Sequence, residues 1–180
     1  DASSGTRLRT FLSPNSGAGD EFGISVALSG NTALIGADGY NSNTGAAYLY
    51  DVRNGSLLQS FFSPTPAAGD YFGKRVALSG SSALIGAARD NINPGSAYLF
   101  DVATGNLQQS FINPTPSARD GFGVSVALSG NTALIGANGY NSDAGAAYLY
   151  DVATGNLLQS FINPNSGAGD EFGISVALSG

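Results

Sequence analysis

The stretch Asp20–Ala37, DEFGISVALSGNTALIGA, occurs three times in the chain and begins a fourth time. The later copies are DYFGKRVALSGSSALIGA from Asp70, DGFGVSVALSGNTALIGA from Asp120 and DEFGISVALSG from Asp170. Their starts are 50 residues apart, and a repeat of this length is typical of arrays in which each unit buries its apolar face against the next. We therefore expect one repeat architecture to fill the chain.

The repeat divides residues 1–180 into units of one kind. We assign the end of one unit to 1–19, three whole units to 20–69, 70–119 and 120–169, and the first strand of another to 170–180. Residues 14–30 and 164–180 are identical, PNSGAGDEFGISVALSG, which suggests a longer array with a super-period of three units. Because the chain does not begin with Met, we expect a processed product or a piece of something longer.

Each whole unit contains short apolar segments separated by turn residues. In the first unit they predict strands A to D at Phe22–Leu28, Ala33–Ala37, Ala46–Tyr50 and Leu57–Phe61. No segment has an apolar period of 3.6, so we predict no helix. Strand A has large residues on one face and small ones on the other, which lets a sheet pack on both sides. We therefore predict an all-β fold of four-stranded antiparallel blades, a β-propeller present as a partial ring or a segment of a larger array. A solenoid is the alternative.

The composition argues against several function classes. The net charge is -6 without a basic run, so we expect no nucleic-acid partner. No apolar run is long enough to span a bilayer, so we expect no membrane insertion. The sequence has no Cys and no His, which rules out a Ser-His or Cys-His arrangement. Paired Asp residues remain available for acid–base work, but no local pattern favours one pair. We expect a protein that is not an enzyme and has no cofactor.

The repeat resembles the FG-GAP repeat of the integrin α-subunit head. The resemblance is carried by Phe22-Gly23 with Gly36-Ala37, by their copies 50 residues later, and by the strand C pattern Gly45–Asp51, GAAYLYD. It covers nearly the whole chain. The resemblance implies a propeller, commonly with seven blades, that works in extracellular or cell-surface adhesion and recognition.

The family's calcium loop does not carry over to this chain. Integrin-like repeats often place an Asp-x-Asp-x-Asp-Gly loop between strands A and B. Here that connection is only Ser29-Gly30-Asn31, with similar copies in the other units. Such a turn cannot gather the six to eight oxygen ligands that calcium takes, so we predict no metal there.

The loops between strands B and C differ most between copies, reading DGYNSNT at 38–44, ARDNINP at 88–94 and NGYNSDA at 138–144. The D-to-A connections also differ, and in a meander both sets lie at one end. Variation therefore collects on one face, as it does on a recognition surface, although longer and less constrained loops would vary too. The candidate ligand-binding residues on this face are Tyr40, Asn41, Arg89, Asp90, Tyr140 and Asn141.

These loop residues have two interpretations each. The Tyr-Asn pairs would stack on and hydrogen-bond a sugar or peptide, or the tyrosines would pack locally. The acidic and amide side chains would hold a weak cation, or would serve turn chemistry. The residues in question are Asp38, Asp90, Asp143, Asn41, Asn43 and Asn91.

Charged residues at the start of strand A form a second candidate group. Asp20 and its copies 50, 100 and 150 residues later would line a channel mouth, or would accept backbone N–H groups in their own connections. Lys74 and Arg75 replace an apolar residue and a Ser of the other copies. They would capture an anion near the channel, or form an ion pair with a neighbouring Asp such as Asp20 or Asp120.

Three functional hypotheses follow. The first is a non-catalytic extracellular or cell-surface protein that recognises a protein or glycan through the B–C and D–A loops. The second is a structural repeat that self-assembles into a fibre or sheath through its blade edges, and a hydrolase domain comes last. Three blades do not make a usual ring, and strands predicted at Thr6–Leu12 and Phe172–Leu178 do not rebuild a fourth. We therefore expect either a larger array or copies that join end to end.

Overall fold

The computed structural model describes residues 6–15, 17–88, 94–117, 119–165 and 167–179. Strands fill three consecutive units of the described chain. The first unit has β1 (Val26–Ser29), β2 (Thr32–Ala37), β3 (Ala46–Asp51) and β4 (Leu57–Phe62). The second has β5 (Phe72–Ser79), β6 (Ser82–Ala87), β7 (Ser96–Asp101) and β8 (Leu107–Ile112). The third has β9 (Phe122–Ser129), β10 (Thr132–Ala137), β11 (Ala146–Asp151) and β12 (Leu157–Ile162).

Each unit folds into its own antiparallel sheet. The strand order is β1-β2-β3-β4 in the first sheet, β5-β6-β7-β8 in the second and β9-β10-β11-β12 in the third. These sheets are blades 1, 2 and 3, and they confirm the predicted all-β meander. Gly30 takes a φ of +55° in the tight A–B turn, and Gly55 takes +79° at the end of the C–D turn. Both are positions where a glycine avoids the strain that a side chain would cause.

The A–B and C–D turns lie together at one end of the blades. The amide of Val52 donates to the carbonyl of Asn31 at 2.9 Å. The carboxylate of Asp51 accepts the backbone N–H and the guanidinium of Arg53, and the side-chain bond lowers the pKa of Asp51 to about 2. The pKa of Asp101 is also lowered, first by the backbone N–H of Thr104. Carboxylates at this turn end therefore serve their own turns.

Neighbouring blades meet in apolar seams. Between blades 1 and 2, one face of blade 1 presents Leu34, Leu49 and Phe61 to Phe72 and Ile85 of blade 2. The seam between blades 2 and 3 uses the corresponding residues 50 positions later. Phe72 and its copy in blade 3 are fully buried. The large residues of strand A in blades 2 and 3 thus fill the space between sheets, as expected of radially stacked blades.

The two glycine motifs of the repeat touch across each seam. A Cβ built on Gly36 would overlap the carbonyl oxygen of Gly73 in the next blade, and Gly86 faces Gly123 in the same way. The chain also makes an isolated parallel bridge between Gly45 and Phe72. Backbone therefore lies against backbone at the seam, which explains why the Phe-Gly and Gly-Ala pairs recur together.

Several predicted element bounds are wrong at the ends of the repeat. β1 begins at Val26 rather than Phe22, because no described preceding blade supplies the parallel bridge that Phe72 receives. Residues 6–12 form no strand, and residues 172–178 form no strand because they have no strand B to pair with. Phe172 keeps only its bridge to Gly145.

A further prediction about local structure is wrong, because a bulge between Phe72 and Arg75 breaks the simple alternation predicted for strand A. The B–C loops contain the one-turn elements α1 (Tyr40–Asn43) and α2 (Tyr140–Asp143), whose inner residues have left-handed rather than α-helical φ and ψ. No helix in the described part of the chain has the length and apolar character needed to cross a membrane.

Candidate functional site

The loop face is the end of the blades formed by the B–C loops (38–44 and 138–144) and the described D–A residues (63–71, 113–117 and 119–121). Within blade 3, the amide of Gly139 donates to the carbonyl of Asp120 at 2.9 Å, so the loop and the connection are joined. Between blades 1 and 2, the amide of Tyr71 donates to the carbonyl of Asn43 at 2.8 Å. These bonds make the loop face continuous across a seam, as the meander predicts.

The B–C loops of blades 1 and 3 contain left-handed turns. In α1, Asn41, Ser42 and Asn43 have φ values of +49°, +58° and +62°. A left-handed residue with a side chain costs roughly 1–2 kcal/mol, and three in succession are unusual. The turn is closed by the amide of Gly45, which donates to the carbonyl of Tyr40 at 2.9 Å. The same geometry recurs in α2, so the surrounding structure fixes it in both blades.

This turn displays polar groups and holds its tyrosine inward. Asn41 and Asn141 are exposed, whereas Tyr40 and Tyr140 are half-buried. The ring of Tyr40 packs against that of Phe62 with 5.8 Å between centroids. Tyr140 packs against the apolar seam of blades 2 and 3. The tyrosines therefore anchor the loops, and the amides of the two Asn residues are the groups presented to solvent.

A polar cleft of about 500 Å³ lies beside α2. It is formed by the B–C loop of blade 3 and the connection that enters the same blade. The lining residues are Ser117, Arg119, Asp120, Gly139, Tyr140, Asn141, Ser142 and Asp143. The cleft combines one cation, carboxylates, an amide, hydroxyls and the edge of one aromatic ring. This chemistry suits a ligand with many hydroxyl or amide groups.

Asp38 is the most unusual acid on the loop face. It is 4% exposed, and its Oδ1 atom is buried without a hydrogen-bond partner. Burial raises the pKa of Asp38, the nearby carboxylate of Glu21 raises it further, and Lys74 of blade 2 lowers it. Asn138 occupies the corresponding position in blade 3. The structure therefore brings Asp38, Glu21 and Lys74 together, a grouping that sequence spacing did not reveal.

The two cations of strand A have different surroundings. The guanidinium of Arg75 donates to the carbonyl of Lys74 at 2.8 Å and does not pair with Asp20 or Asp120. The ammonium of Lys74 lies 5.1 Å from the centroid of the Tyr71 ring. Anion capture by these two residues is untested and stays a prediction.

The Asp residues that precede each strand A accept backbone N–H groups of their own connections, which is the second of the two interpretations above. Asp70 accepts the amide of Ala67 at 2.6 Å, and Asp120 accepts the amide of Ser117 at 2.7 Å. Asp70 and Asp120 are buried, and burial raises the pKa of Asp120. Each carboxylate therefore closes its own connection rather than lining a channel mouth.

The remaining candidates are limited by what the structure describes. Arg89 and Asp90 lie outside the described residues, so their place on the loop face stays a prediction. Within the described ranges, no three acidic or histidine side chains come together as metal ligands. At the turn end, the amide of Asn131 donates to the carboxylate of Asp151.

The arrangement of the sheets shows the class of fold. Three four-stranded meanders, joined by apolar seams and by backbone contacts between strand A and the preceding blade, are blades of a β-propeller. The sequence profile of the FG-GAP repeat matches residues 8–50, 60–100 and 106–150. The chain therefore belongs to the FG-GAP repeat family, which confirms the resemblance. No curated protein matches the chain by sequence.

Solved structures share this fold at low sequence identity. The hydrazine synthase of Kuenenia stuttgartiensis is 11% identical with a TM-score of 0.54, over 77% of this chain and 36% of that one. A europium-containing methanol dehydrogenase is 13% identical with a TM-score of 0.53, over 74% and 23%. The computationally designed Ika8 protein is 20% identical with a TM-score of 0.53, over 76% and 35%. The chain spans about a third or less of these proteins, and the likeness concerns the fold alone.

Proposed function

We propose that this chain is a non-catalytic recognition module that binds an extracellular or cell-surface partner through its loop face. The observation that supports this most is the pair of left-handed turns at Tyr40–Asn43 and Tyr140–Asp143, which hold Asn41 and Asn141 exposed. A strained backbone that recurs in two blades is ordered before a ligand arrives. Such a surface loses less conformational entropy on binding than a flexible loop does.

The chemistry of the cleft favours a glycan as the partner. Asn141 and Ser142 offer amide and hydroxyl groups, and Arg119 and Asp143 add a donor and an acceptor of opposite charge. A carbohydrate carries hydroxyl groups that both donate and accept, so it can use all four side chains. A protein segment with polar side chains is the alternative partner of the same face.

A non-catalytic role agrees with the chemistry that the residues offer. The chain has no His and no Cys, so it has no side chain with an ordinary pKa near neutral pH. The buried carboxylates of Asp70 and Asp120 accept backbone amides of their own connections. These acids stabilise the loops, and their backbone partners occupy the oxygens that acid–base work would need.

The test measures binding of the labelled chain to a glycan array and to immobilised extracellular-matrix glycoproteins, with and without enzymatic deglycosylation. The double variant Asn41→Ala, Asn141→Ala should bind about tenfold more weakly or worse, because it removes two exposed hydrogen-bonding side chains. Thr104→Ala, at the opposite turn end, is the control and should bind normally. The proposal fails if the double variant binds like the parent chain, or if the control loses binding. Binding that survives deglycosylation identifies protein as the partner.

A further inference from the structure

The chain exposes two apolar blade faces that correspond to the two halves of its own seams. On blade 3, Phe161 is 42% exposed, whereas the equivalent Phe61 is 2% exposed in the seam between blades 1 and 2. On blade 1, Val26 is 64% exposed, whereas the equivalent Val76 is 7% exposed. The exposed face of blade 3 is equivalent to the face of blade 1 that blade 2 covers. The exposed face of blade 1 is equivalent to the face of blade 2 that packs against blade 1.

Segments from the two ends of the chain partly occupy these faces. On blade 1, the ring of Phe11 packs against Tyr50 with 5.2 Å between centroids. Phe111 packs against Tyr150 in the seam of blades 2 and 3 in the same way, at 4.9 Å. Residues 6–12 therefore stand where strand D of a preceding blade would lie. On blade 3, Phe172 and Val176 lie against Phe161 around an apolar cavity of about 330 Å³.

The two end segments are interchangeable by sequence. Residues 164–180 are identical to residues 14–30, which include β1. In blade 1, β1 pairs with β2 over only four residue pairs, from Val26 with Ile35 to Ser29 with Thr32. Residues 172–178 have the same side chains and no strand to pair with. A second copy of the chain can therefore supply the strand A that blade 1 now takes from its own sequence.

We propose that two copies of the 180-residue chain, as purified by itself, join head to tail at both ends and close a six-bladed ring. Residues 170–179 of each copy replace residues 20–29 of the other and pair with its β2. Phe161 of each copy then takes the place of Phe11 on Tyr50 of the other. The joint repeats the internal seams, so it needs no new kind of contact, and exchange of identical strands is a low-cost route to association. Six blades lie within the usual range of about four to eight for propellers.

The mass of the purified 180-residue chain, measured by light scattering over a range of micromolar concentrations, tests the stoichiometry. We expect twice the chain mass. Phe161→Glu should raise the dissociation constant about tenfold or more, because it removes a central aromatic contact of the joint. Ile162→Glu is the matched control, since it is the next residue of the same strand, similarly exposed, and on the opposite face. Phe11→Ala weakens the competing segment and should lower the dissociation constant.

A disulfide trap tests the strand exchange itself, since the chain has no Cys of its own. Leu28 pairs with Ala33 in blade 1, and Leu178 takes the place of Leu28 in the exchanged strand. The variant Ala33→Cys, Leu178→Cys should oxidise to a covalent dimer. The control Ala33→Cys, Leu128→Cys should not, because Leu128 is already paired with Ala133. A monomer, a polymer larger than the dimer, an intrachain disulfide, or a dimer that is neither trapped nor weakened by Phe161→Glu would each overturn the proposal.

Discussion

Replacing Gly86 by Ala should destabilise the chain through one contact between blades 2 and 3. The φ of Gly86 is not in the left-handed region, so alanine suits the strand locally. Such a change ordinarily stabilises a protein by about 0.4–1 kcal/mol through the unfolded state. Here the new Cβ would overlap the carbonyl oxygen of Gly123 and lie 3.2 Å from its carbonyl carbon. Backbone forms both sides of this contact, so no rotamer change relieves it.

The size of the effect follows from how far the blades must separate. The overlap is on the order of 1 Å, and overpacking a core typically costs about 1–3 kcal/mol. We expect the upper part of that range, about 3 kcal/mol, which lowers the melting temperature of a chain of this size by about 6–12 °C. Thermal melts followed by circular dichroism measure this shift.

Gly136→Ala is the matched control for this prediction. Gly136 has the same neighbours in sequence, but its Cβ would meet the carbonyl oxygen of Gly173, in a segment that no strand pairs with, and the Oγ of Ser125, a side chain that can rotate away. Both variants are made in the Phe161→Glu background, in which copies do not join, so the segment at Gly173 can move away and the control should change the melting temperature little. The backbone contact between Gly86 and Gly123 would be contradicted if Gly86→Ala is as stable as the parent chain, or if the two variants are equally destabilised.

Three further predictions concern stability and metal. In the Phe161→Glu background, in which copies do not join, Phe72→Ala should cost about 3–5 kcal/mol in urea unfolding and Phe172→Ala much less, because Phe72 is fully buried and Phe172 is exposed; an equal loss would contradict the seams. Burial raises the pKa of Asp38 above its ordinary 3.8. The protonated Asp38 side chain therefore adds stability below pH 3.8, and this contribution is lost as the pH rises through the raised pKa. Asp38→Asn should therefore have a higher melting temperature than the parent chain at neutral pH, and the difference should shrink toward pH 3.8. A lower melting temperature of the variant at pH 7 would show that ionised Asp38 stabilises the chain. Calcium should leave the melting temperature unchanged, and a rise of several degrees that disappears on changing Asn31 and Asn131 would refute this.

Most of the fold could be predicted because each repeat encodes it locally. Strands B, C and D lie within about a residue of their predicted bounds, since apolar runs and glycine turns delimit them. The acids at Asp70 and Asp120 close their own connections for the same reason, because their partners are three residues away. Such features depend on contacts within one unit, which a repeated sequence makes visible.

Features that depend on contacts between units could not be predicted in this way. The left-handed turn at Asn41–Asn43 is held partly by the amide of Tyr71, which belongs to the next blade. The bulge between Phe72 and Arg75 lies where strand A meets the preceding blade. The grouping of Lys74 with Asp38 crosses the same seam. A signal for the turns existed, since Asn and Asp tolerate positive φ better than other residues with a side chain.

Amide hydrogen exchange at the first residue of each strand A tests the stacking of the blades most directly. The amides of Phe72 and Phe122 donate to Thr44 at 3.2 Å and to Pro94 at 2.8 Å, both in the preceding blade. If the blades stack as described, these two amides exchange as slowly as amides inside a strand, and the amide of Phe22, with no described blade before it, exchanges fast. Exchange at Phe72 and Phe122 as fast as in an unfolded peptide would contradict the propeller arrangement.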